Sequence, residues 1–155
     1  MGLFTSKRER EVAEPAAEFD PQTFVEAHPA EARRWQAWLD ARIDRGKNEV
    51  FSEVAELSPI LAGLLLVRNV RNRPIKKSRV AKWARAMEEG RWRLHHQGLA
   101  ISNEGNLLDG QHRAHAVIAS ARTIPMAVTF GIEENAFERA CRDRGDGEPV
   151  GARTV

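Results

Sequence analysis

A chain of 155 residues, 42% hydrophobic and 30% charged, has room for one hydrophobic core under a polar surface. Its single cysteine, Cys141, excludes an internal disulfide framework and a thiolate zinc site, which suits a reducing, cytoplasmic setting. The longest apolar run, Ile60 to Val67, is far short of the ~20 residues of a membrane span, so no membrane partner is expected.

Residues 1–20 mix Lys, Arg, Glu, Pro and Ala without an apolar period, and Lys7 to Glu14 is too charged for a signal peptide. They read as a disordered arm. Residues 21–56 read as a helical extension, with one helix from Pro29 or Ala30 to Ile43 carrying Trp35, Trp38, Leu39 and Ile43 at helical spacing, and Gly46 as its stop. Ser58-Pro59 is a helix-start pair, cap then first position, leading into Ile60, Leu61, Leu64 and Leu65. The segment from Val70 to Ile75, containing Pro74, predicts extended or looping chain. Ser78 is expected to cap a helix over Arg79 to Glu89 that packs through Val80, Trp83, Ala84 and Met87, with Gly90 ending it.

Beyond Gly90 the period becomes extended. Gly98 to Ser102 predicts a strand, Asn103 to Asn106 a turn, and Leu107-Leu108 the return strand of a hairpin. Asp109 is expected to cap a helix beginning at Gly110, Thr123 to Gly131 to form a further strand, and Glu133 to Cys141 a last helix, followed by a frayed tail over 146–155. The fold class is therefore α+β, a small mixed sheet with flanking helices, with the main domain over 57–145.

Although the net charge is only +2, its distribution is uneven. From Arg68 to Arg93 ten basic residues face only Glu88 and Glu89, and such a segment attracts polyanions. The loop Asp109-Gly110-Gln111-His112-Arg113 follows a strand and opens a helix, where unpartnered amides and the helix dipole favour an anion. Gly110 brings backbone close to a phosphate, while Gln111, His112 and Arg113 add side-chain donors. Asp109 can be a helix cap, a ligand for Mg²⁺ carried in by nucleotide phosphates, or a general base. Arg73, Lys76 and Lys77 can close over phosphates, and Lys76, Lys77, Arg79 and Lys82 can follow a DNA backbone. His95, His96, His112 and His115 lack the spacing of a zinc motif.

The ordered set Asn72-Arg73-Pro74, Val80 to Met87, Gly90-Arg91-Trp92, Gly98 to Ile101, Asp109 to Arg113 and Ala116-Val117 resembles the ParB/sulfiredoxin superfamily. It is most similar to the small phage and actinobacterial ParB-like nuclease-domain proteins with an Asp-Gly-Gln-His-Arg signature. The resemblance covers roughly Leu57 to Gly145. It implies phosphate binding by Gly110 to Arg113 and a nucleoside triphosphate with Mg²⁺, ATP or CTP, as ligand. It further implies hydrolysis or phosphotransfer with Asp109 and His112 in catalytic positions. A nuclease, a DNA-binding accessory protein and an inactive adaptor are the alternatives. Sulfiredoxin reductase activity is not expected, because Gly110-Gln111-His112 stands where a catalytic cysteine is needed. Nor is a helix-turn-helix domain expected, since about ten residues follow Gly145. Asp143-Arg144-Gly145 matches the start of an element that leads into further helices in the phage-type relatives.

Overall fold

The computed structural model describes residues 18–69 and 73–135. The proposed arm and frayed tail, and the helix expected over 133–141 beyond residue 135, lie outside the described residues. In chain order the elements are α1 (Pro21–Glu26), α2 (Pro29–Gly46), β1 (Phe51–Leu57), α3 (Pro59–Val67), α4 (Lys77–Glu88), β2 (Leu99–Ser102), β3 (Leu107–Asp109), α5 (Gln111–Ser120) and β4 (Ile124–Ile132). This is an α+β arrangement: one four-stranded mixed sheet with flanking helices.

The sheet order is β1-β4-β2-β3. β1 runs antiparallel to β4 from Phe51 opposite Phe130 to Leu57 opposite Ile124. β4 is parallel to β2, and β2 and β3 form the antiparallel hairpin that the sequence predicts. Along β4 the residues Ile124, Met126, Val128 and Phe130 alternate into the core, as the two-residue period of a half-buried strand requires. Leu57, Ile101 and Leu107 join them from the other three strands.

α3 is buried on all sides from Ile60 to Leu66, which explains its near-continuous apolar sequence. α2 packs through Leu39 and Ile43, with Trp35 and Trp38 half-buried against the core. α4 packs on α5. Its Ala84 and Met87 are buried, Val80 and Trp83 partly so, and Arg79, Lys82 and Arg85 stay exposed, as its periodicity predicts. Among the described residues no helix is long and apolar enough to cross a membrane.

Three expectations need correction. Residues 51–56 of the expected helical extension form, with Leu57, a strand, because Phe51, Ala55 and Leu57 face the core and Arg42 pairs with Glu53 on the same face. Ser78 lies inside α4; Lys76 holds the cap position, with no side-chain cap. Asp109 ends β3, where it pairs with Ala100, and the cap position of α5 falls to Gly110, so the helix begins one residue later than expected.

Candidate functional site

The loop between β3 and α5 turns on Gly110, whose φ of 103° lies in the left-handed region that an L side chain resists. Space at this position is equally limiting, since a Cβ would lie 2.2 Å from Leu99 Cδ2. Gly98 beside it has the same constraint from the opposite side, because a Cβ there would meet the Ala127 carbonyl oxygen at 1.8 Å. The glycines thus bring the loop, β2 and β4 into close backbone contact. Asp109 turns its carboxylate back onto the chain, Oδ1 accepting from the Gly110 amide at 2.9 Å. No side chain caps α5.

Each side chain of the first turn has a defined environment. Gln111 is buried, accepts from Asn69 Nδ2 at 2.9 Å and donates to the Arg73 carbonyl. Its amide is spent on the chain on either side of residues 70–72. His112 Nε2 accepts from the Lys76 backbone amide at 3.0 Å, joining the start of α4 to the start of α5. Arg113 is half-buried, its guanidinium 5.4 Å from the Trp83 ring centroid. Nη1 donates to the Gly98 carbonyl at 3.2 Å and Nη2 to Gln97 Oε1 at 3.1 Å, while the buried Nε has no partner.

The electrostatics of this corner are one-sided. Burial holds His112 below the ordinary histidine range, and the charges of Arg79, Lys76 and Arg113 add to that, with Asp109 opposing. Burial likewise lowers Arg113, against the pull of Asp109. His115, one turn on, is also lowered by burial and by His112. Lys76, Arg79 and Arg113 therefore surround His112 with positive charge, and among the described residues Asp109 is the carboxylate that opposes it. Arg73, Lys77 and Lys82 are exposed, and the Arg73 carbonyl accepts from Gln111.

Trp83, Gln97 and Asn69 also belong to this site. Trp83 carries the signature of a core residue, and a lone Asn or Gln in an exposed segment carries no signal. His95 lies tilted against Trp92 at 5.7 Å between ring centroids and meets His96 edge-on at 6.1 Å, and no group of three His, Cys, Asp or Glu among the described residues could hold a metal ion. A metal at Asp109 would therefore depend on ligands from elsewhere, as a nucleotide-borne Mg²⁺ does. A hollow of about 330 Å³ lies away from this corner, bounded by the turn over 46–50, Asn103, Gly131 and Glu133. Comparison with family models, with curated proteins and with solved structures finds no match to the chain.

Proposed function

We propose that the chain binds the phosphates of a nucleoside triphosphate at the adjoining amino-terminal ends of α4 and α5. The observation that carries this reading is the meeting of two helix starts, neither with a side-chain cap, among Lys76, Arg79 and Arg113, with Asp109 as the carboxylate that opposes them among the described residues. Helix starts carry partial positive charge, so such a corner favours a polyanion. The likeness of the ordered motifs to the ParB/sulfiredoxin superfamily supports the same ligand class. Gly110 and Arg113 line the phosphates in this reading, and Arg73 and Lys77 reach over them from outside. Mg²⁺, ATP- or CTP-borne, meets Asp109, and hydrolysis or transfer of the terminal phosphoryl group follows. His112 takes part as a base only after its Nε2 is freed from the Lys76 amide.

The test is a thermal-shift panel of ATP, CTP, GTP and UTP with and without Mg²⁺. A ligand that binds only the folded chain stabilises it by about 2.7 kcal/mol at a hundred times its Kd. No shift with any of the four would refute the reading. A second reading rests on a separate observation, the exposed row Arg79, Lys82 and Arg85 on α4, with Lys76 and Lys77 at its start. Contact of that row with a DNA backbone predicts binding that falls steeply with salt and ignores sequence, which a gel shift over a salt series measures.

A further inference from the structure

Residues 73–76 cross the amino end of α5, and the first two side chains of that helix hold them there. Gln111 holds one end: its Nε2 donates to the Arg73 carbonyl, and its Oε1 receives Asn69 Nδ2. His112 holds the other, Nε2 receiving the Lys76 amide at 3.0 Å. An amide side chain does not titrate in the physiological range; an imidazole does. The two anchors therefore differ in what can undo them.

We propose that His112 is a proton-operated latch, which holds Lys76 and the start of α4 against α5 while the imidazole is neutral and releases them when Nε2 gains a proton. A ring nitrogen that accepts from an N–H must be unprotonated, which places the single ring proton on Nδ1. Protonation turns Nε2 into a donor facing another donor, so the bond is replaced by repulsion. Lys76 holds the cap position of α4 and has no side-chain cap, so its amide loses a specific partner when the latch opens.

The surroundings set the direction. Lys76 and Arg79 act on the ring from the α4 side, Arg113 and Asp109 from the α5 side, and Trp83 lies with its ring centroid 6.4 Å away. The three cations oppose protonation and Asp109, whose Oδ1 is turned to the Gly110 amide, favours it. His115 on the same helix is influenced by His112 in turn. The latch is closed at neutral pH and opens on acidification, while the Gln111 anchor persists. The outcome is a pH-dependent change at residues 74–77 with Arg73 still in place.

Nitrogen-15 NMR of the full chain, free of nucleotide, tests this independently of the phosphate reading. The expected result is an Nδ1–H tautomer of His112 at neutral pH. As His112 titrates in acid, the Lys76 amide should shift with the same midpoint and lose roughly tenfold of its exchange protection, the weight of one hydrogen bond. His112→Gln offers an acceptor that does not titrate, and its Lys76 amide should stay constant over the same range. An Nε2–H tautomer at neutral pH, or a Lys76 amide indifferent to the His112 titration in the unaltered chain, overturns the proposal whether or not the variant folds.

Discussion

The helices α3 and α5 each begin directly after a strand, and their first turns are finished in opposite ways. At the start of α3, Ser58 Oγ accepts from the Leu61 amide at 3.2 Å, Pro59 brings no N–H of its own, and everything from Ile60 to Leu66 is buried. At the start of α5 the cap position is a glycine, the neighbouring carboxylate is used on Gly110, and the side chains of the first turn reach sideways to other segments. α3 therefore satisfies its own end. α5 has no side-chain cap at its start, and the cations Lys76 and Arg79 at the start of α4 lie beside it.

The largest effect that would sharpen this contrast belongs to Gly110→Ala. A Cβ placed 2.2 Å from Leu99 Cδ2, on a backbone with φ 103°, adds strain to a clash against a buried side chain. We expect a loss of about 3 kcal/mol or more in chemical denaturation, and a loss under about 1 kcal/mol would show that the loop relaxes freely. Next is Arg113→Ala, which should weaken nucleotide binding by about 1.5–3 kcal/mol, tenfold to over a hundredfold. Its bonds to Gly98 and Gln97 supply the competing outcome, a lower Tm with unchanged affinity. Calorimetric titration and a melting curve on one sample separate the two.

Ser58→Ala should cost about 1 kcal/mol of stability, the usual loss for a helix cap, and leave nucleotide affinity as it was. An affinity change in that variant would break the division between the two junctions. The smallest effect is on pH dependence. His112 and His115 both lie below the ordinary histidine value in the folded chain, so the unfolded chain binds more protons in the interval between. Their contribution is complete above the unfolded value and is lost as pH falls through the folded one. Tm should accordingly drop as pH falls below the ordinary histidine value of about 6.5, and less so in His112→Gln.

What could be read from the sequence follows from how local the cause is. Ser58-Pro59, the turn over 103–106, and the one-sided apolar face of α4 are decided within a few residues, and each forms where the sequence indicates. β1 is decided elsewhere. Glu53 and Glu56 suit a helix, and only pairing with β4 and the Arg42 partner for Glu53 make the segment a strand. The two misplaced caps have the same explanation. Asp109 is drawn into β3 by its pairing with Ala100, and the amide of Lys76 is met by a histidine 36 residues away. The basic stripe is legible as composition, but that Lys76 and Arg79 of the stripe meet His112 and Arg113 depends on where α4 lands on α5.

The pairing of β1 with β4 also bears on how the chain reaches its fold. Ser52 and Thr129, hydrogen-bonded through their hydroxyls at 2.7 Å, are 77 residues apart in sequence, whereas β2, β3 and α5 are consecutive elements. Closing so long a loop costs entropy before any contact repays it. Adding β1 is thus expected to be a late, long-range event, after the β2-β3-α5 unit has formed from near neighbours. Substitutions on the inward face of β1, at Ala55 or Leu57, should therefore act mainly on the unfolding rate, while those in the hairpin should slow folding.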